Sequence, residues 1–125
     1  MSSAEVLNRM QQAMTAHDLE ELVACFAEDY DCEMPMHPSL SFTGRDNVRR
    51  NWTALFAHVP DLKASVLRSA DGGDLLWSEW EMTGTATDGS GYLARGVAIL
   101  RIADGQVAWA RFYLDPVEDA KSGPA

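Results

Sequence analysis

Three long runs of strand-forming residues, joined by two glycine turns, constrain this chain more than any other feature. They are LLWSEWEMTGTA (Leu75–Ala86), YLARGVAILRI (Tyr92–Ile102) and QVAWARFYLD (Gln106–Asp115), separated by Asp88-Gly89-Ser90-Gly91 and by Asp104-Gly105. Asp-Gly between two such runs is a hairpin signal, because glycine accepts the positive φ that a tight turn demands. Pro116 closes the last run, since proline cannot donate to a ladder. Each run exceeds the usual five or six residues, and antiparallel strands of that length twist and curl. A curled sheet has a concave side that the rest of the chain must fill or cover.

The preceding residues read as that cover. Ser2 or Ser3 can cap a helix starting near Ala4, with Val6, Leu7, Met10, Ala13 and Met14 on one stripe. Asp18 caps a second helix with Glu21 three positions on, as in a capping box, and Leu19, Leu22, Val23 and Phe26 as its apolar side. Tyr30–Met34 alternates as a short strand ended by Pro35 and Pro38, and Met36–Thr43 is a loop. Asp46 is the expected N-cap of a third helix carrying Val48, Trp52, Leu55, Phe56 and Val59, stopped by Pro60. Leu62–Leu67 is a further strand before the Asp71-Gly72-Gly73-Asp74 turn. Helices set apart from a run of antiparallel strands give the α+β class, in one domain over residues 1–116 with a short, frayed tail at 117–125.

Composition removes several classes of function. A 46% hydrophobic chain of 125 residues can bury a real core. Its net charge of −9 sets it against nucleic acid and anionic membranes as partners. No apolar run reaches the length of a membrane span, and the polar N-terminus has no secretory h-region. Cys25 and Cys32 therefore read as reduced thiols of a cytoplasmic protein. No GxGxxG, P-loop, GxSxG, CxxC or HExxH pattern occurs, so neither a metal nor an organic cofactor is expected.

HDLEELVACFAEDYD, the helix opening GRDNVRRNWTALF and the closing hairpin GVAILRIADGQVAWARFYLD together resemble the SnoaL-like proteins of the nuclear transport factor 2-like superfamily. The resemblance runs from about Ala4 to Asp115 and implies a cone: a strongly curved antiparallel sheet wrapped round a deep pocket, with three N-terminal helices closing it. Members of that superfamily include polyketide cyclases, ketosteroid isomerases, limonene epoxide hydrolases, dehydratases and non-catalytic proteins, so the fold alone leaves the reaction open. The ketosteroid isomerase residues have no counterpart here. Met34-Pro35 stands where the base would be, Met10 where the phenol donor would be, and Val97 or Ala98 at the second acid. The aspartate that epoxide hydrolases and cyclases place on the last strand falls at Phe112. By the same resemblance, the hydrolase's paired polar residues on the first meander strand fall at Glu79 and Glu81, and its water-positioning pair near Asp31 and Glu33.

Glu79 and Glu81 share one face of their strand, and Trp80 and Met82 the other. With the glutamates inward, repulsion and desolvation would make them an acid–base pair. With Trp80 inward they form a solvated face. Arg111, Tyr113 and Asp115 likewise share a face, either as a polar group at the pocket mouth or as part of an outer sheet surface. His37 lies in a proline-bounded loop near the expected mouth, where loops carry function. The candidate catalytic residues are thus Glu79 and Glu81, followed by Asp115, Glu33 and His37.

The expected reading is a cofactor-independent enzyme doing acid–base chemistry on an apolar or polycyclic small molecule: cyclisation, isomerisation, dehydration or epoxide opening. Its pocket is expected to be lined by Trp52, Leu55, Phe56, Val59, Ala94, Gly96 and Phe112, the small residues of the middle strand leaving room. The alternative is a non-catalytic small-molecule-binding or accessory domain. A homodimer through the outer sheet face is expected in either case, because long strands that are apolar on both faces leave one face needing cover.

Overall fold

The computed structural model describes residues 2–118. The elements are α1 (Ser3–Ala16), α2 (Leu19–Ala24), β1 (Phe26–Glu33), a 3₁₀ turn (Pro38–Leu40), β2 (Phe42–Thr43), α3 (Arg45–His58), β3 (Lys63–Gly72), β4 (Leu75–Thr85), β5 (Gly91–Ala103) and β6 (Gln106–Pro116). The strands form one sheet in the order β2-β1-β6-β5-β4-β3. All pairings are antiparallel except β1 with β6, which is parallel. The sheet curls round the helices but does not close, so β2 and β3 remain edges.

The meander forms as its turns dictate. Asp104 and Gly105 both take positive φ, 53° and 73°, as a two-residue hairpin of matching twist requires. Gly96 bends the middle of β5 at φ 154°. A Cβ there would sit 2.0 Å from the Tyr113 carbonyl oxygen, so the approach of β5 to β6 depends on having no side chain at this position.

The helical cover is tied down by caps and by tertiary bonds. Ser2 and Glu5 form a reciprocal capping box on α1. At α2 only half of the expected box exists: Asp18 accepts from the Glu21 backbone, while the Glu21 carboxylate turns to Arg9. The third helix takes Gly44 rather than Asp46 as N-cap. Phe26 leaves the second helix and starts β1, four residues before the strand expected at Tyr30. The cause is tertiary: Val107 N donates to the Cys25 carbonyl at 2.8 Å, and Arg45 donates twice to the Phe26 carbonyl. The open edge at β3 is partly answered by α1, where Thr15 Oγ1 bonds both backbone groups of Ala64 and Gln11 Oε1 accepts from Val66 N.

Several carboxylates are held below their ordinary range by such bonds. Arg9 acts on Glu21 and Arg111 on Glu33, and the Thr85 backbone N–H acts on Asp61. A depressed native pKa adds stability above the ordinary value and loses it as pH falls through the native one. The urea midpoint should therefore hold near neutrality and decline as pH falls below about 4.5, the ordinary glutamate value. A midpoint that is flat down to pH 3 would contradict these pairings.

Candidate functional site: an apolar cavity inside the cone

Cross-strand register decides which side chains face the helices. Trp80 lies opposite Gly96, Met82 opposite Ala94, and Ser78 opposite Ala98. Trp80, Met82, Ala94 and Ala98 are all buried, so this is the inner face. The indole N–H donates to Ser78 Oγ at 2.9 Å, and the Ser78 hydroxyl donates to the Ala98 carbonyl at 2.8 Å, so both of these side chains are satisfied.

A cavity of about 110 Å³ remains between this face and the helices. Its floor is Trp80, Met82, Ala98 and Leu100 of the meander with Phe112 and Leu114 of β6. Helices contribute Met10, Met14, Val48, Trp52 and Leu55, and β1 contributes Phe26, Tyr30 and Cys32. Met34, Phe42, Asn51 and Tyr92 complete the wall. Of the lining residues expected from sequence, Trp52, Leu55 and Phe112 are there. Phe56, Val59, Ala94 and Gly96 are not. Phe56 stacks on His17 at 4.3 Å, and Val59 packs against Gly84. Ala94 and Gly96 are small, but Met82 and Trp80 directly across the ladder take the space they free.

The polar inventory of the wall is short: Tyr30, Cys32, Asn51, Tyr92 and the Trp80 N–H already spent on Ser78. No carboxylate or imidazole lines it. Burial pushes the Tyr30 phenol well above its ordinary range, so it stays protonated. Burial likewise pushes the Cys32 thiol up to about 11, which leaves it a poor nucleophile near neutrality. No sequence signal marks Tyr30, since a tyrosine in an alternating run is by default a core residue. Its ring is indeed wedged edge-on between Phe26 and Phe42.

Glu79 and Glu81 do not reach the cavity, and their placement there is corrected. They belong to the outer face. In register, Glu79 lies in a row with Val97 and Tyr113, and Glu81 in a row with Arg95 and Asp115. Arg68 Nε approaches Glu79 Oε1 to 2.8 Å as a charge pair without an aligned N–H, and Arg95 Nε donates to Glu81 Oε2 at 2.9 Å. The reason is apolar burial: facing the glutamates inward would expose Trp80 and Met82 and bury two charges. Glu79→Gln and Glu81→Gln should each leave ligand binding unchanged and cost at most about 1 kcal/mol, as surface pairs do. Loss of binding in either variant, measured by titration of the tryptophan fluorescence, would restore them to the site.

Asp115, Glu33 and His37 meet one another's neighbourhood, but on the outside. Arg111 donates to Glu33 at 2.8 Å, and the His37 Nε2–H donates to Asp115 Oδ1 at 2.9 Å. Trp109 lies between the Arg101 and Arg111 guanidinium groups, each 5.3 Å from its ring centre. Among the described residues no three metal-ligating side chains cluster, and no helix is long and apolar enough to cross a membrane.

The SnoaL-like domain profile matches residues 7–110. Among solved structures, IdmH from Streptomyces antibioticus, a candidate polyketide cyclase, superposes with a TM-score of 0.77–0.79. For the wild-type form the identity is 21%, with 92% of this chain and 93% of that one covered. A protein of ketosteroid isomerase-like fold from Catenulispora acidiphila, solved with trimethylamine, gives a TM-score of 0.77 at 16% identity, covering 90% and 87%. An NTF2-like protein of unknown function from Burkholderia xenovorans gives 0.69 at 25% identity, covering 94% and 85%. No match was found among curated proteins.

Proposed function

The chain belongs to the SnoaL-like family of the NTF2-like superfamily, and within it we propose that the protein binds a small apolar molecule in the cone. One observation carries this: an apolar cavity between sheet and helices whose lining residues include no carboxylate and no imidazole. Ligand sites are concave and mostly apolar with a few placed polar groups, and this one fits that description on a small scale. An apolar cavity of roughly 150 Å³ holds a benzene ring, so about 110 Å³ suits one ring and not a polycyclic body. The test is titration of the protein with benzene or cyclohexene, followed by NMR shifts of the Met82, Leu100 and Leu114 methyl groups. Saturable shifts there support the reading, and shifts confined to the outer face sink it.

A catalytic reading keeps one observation in its favour. Tyr30 is a phenol that burial keeps protonated inside an apolar wall, which suits it to donate a hydrogen bond to a reacting oxygen. Cyclisation or isomerisation would then run on neutral donors, without Glu79 and Glu81 and without a cofactor. Turnover by the wild type that Tyr30→Phe removes would establish it.

The outer face is proposed to pair with a second copy of the chain. Trp77 is 47% exposed there, set among paired charges of both signs, so a two-fold partner could match aromatic to aromatic and cation to anion. Light scattering should give twice the chain mass at micromolar concentration. Trp77→Lys should restore the single mass, and a wild type that is already monomeric at high micromolar concentration rejects the pairing.

A further inference from the structure

One side chain, Met34, lines both the inner cavity and a groove of about 280 Å³ on the outside of the sheet. The topology explains how a single residue can do this. The β1–β6 ladder ends at Glu33 opposite Arg111, yet β6 runs on to Pro116, paired there only with β5. Beyond Arg111 the β1-side edge of β6 therefore has no strand beside it. The loop from Met34 to Ser41 covers the gap instead. That loop is bonded mainly to itself: His37 N to the Met34 carbonyl, Ser41 N to the Pro38 carbonyl, and Met34 N to Ser41 Oγ. Among the described residues, the His37–Asp115 bond is its one hydrogen bond to β6. The sheet thus has a window at this point, plugged by a flexible thioether and latched by one half-exposed pair.

We propose that this window joins cavity and groove into one binding site for an elongated ligand, with an apolar ring or chain inside and a neutral hydrogen-bonding end outside. The inference rests on the cavity-binding reading above and extends it past Met34. The end group is neutral because the charged residues that line the groove, Arg111 and Glu33, are already paired with each other. What the groove offers is hydroxyl chemistry from Ser41 and Tyr113, between the apolar flanks of Pro35 and Pro38. The same geometry accounts for a cavity that is small when closed: it is the inner half of the site.

Two probes separate the claims, benzene for the cavity alone and phenylhexanol for the joined site. In NMR of the full chain, the phenyl protons of bound phenylhexanol should show cross-relaxation to Trp80 and Leu100, and the methylene next to its hydroxyl should show it to the Tyr113 ring. Tyr113→Phe should weaken phenylhexanol by about three- to ten-fold, the worth of one hydrogen bond, and leave benzene unchanged. Asp115→Asn and Met34→Ala should each speed phenylhexanol exchange. Cross-relaxation from the alcohol end to Asn51 or Tyr92 would show the ligand leaving by the opposite rim and would overturn the proposal. So would benzene binding while phenylhexanol is excluded. If neither probe binds, the cavity reading falls and this inference with it.

Discussion

Gly96→Ala is expected to destabilise the protein by about 3 kcal/mol or more, a large share of the roughly 5–15 kcal/mol that holds a domain of this kind together. Two costs combine. The residue sits at φ 154°, where L side chains rarely go. An added Cβ would also meet backbone, not a pliable side chain: Tyr113 O at 2.0 Å and Leu114 Cα at 2.5 Å. Relief requires β5 and β6 to separate, which disturbs the ladder at the bend that curls the sheet. Gly91→Ala is the matched control, since nothing lies within 4 Å of its Cβ position and its φ is unexceptional. That change should fall within about 1 kcal/mol of the wild type. Equal urea midpoints for the two variants would show that the close approach at Gly96 is not needed.

This glycine also shows how far the fold can be read from residues alone. Ala94, Gly96 and Ala98 alternate on one strand, and smallness at alternate positions does mark the inner face. It does not say what the smallness is for. Ala94 and Gly96 are small so that Met82 and Trp80 can lie across them, and Gly96 also so that β6 can come close. Only Ala98 borders empty space. The three meander strands, the α1 stripe and the Pro60 stop are local signals and fall where local signals put them. The early start of β1 at Phe26 and its parallel pairing with β6 are not local. They depend on Val107, Arg45 and Gln106, far away in the chain.

The orientation of Glu79 and Glu81 was undecidable from alternation, because period two fixes which residues share a face and not which face is inward. Resemblance favoured the glutamates. The area of Trp80 and Met82 favoured the opposite choice, and apolar burial of two large side chains outweighs a pair of carboxylates that water and Arg68 and Arg95 satisfy outside. His37 and Asp115 illustrate the converse. Nothing in their spacing, 78 positions apart, links them, yet the ends of β1 and β6 bring the loop of one to the strand of the other.

Ala98→Leu should abolish most small-molecule binding and cost the fold little. Ala98 lies between Ser78 and Phe112 across the ladder, with its methyl group facing the cavity. Leucine adds three carbons directed into a void of about 110 Å³ bounded by Leu100, Phe112 and Trp80. In a filled core such an addition costs about 1–3 kcal/mol in strain. Into a void it gains contacts, and cavity-filling substitutions commonly add about 0.5–2 kcal/mol. The melting temperature of the variant should therefore stay level or rise. The ligand meets the reverse: the space it needs is occupied, so the dissociation constant of benzene should increase by at least about ten-fold, the equivalent of 1.4 kcal/mol. Stability and binding moving in opposite directions is the diagnostic, because general damage to the fold would lower both. Benzene affinity unchanged in Ala98→Leu, with the fold intact, would mean that the ligand lies elsewhere and that the inside of the cone is only core.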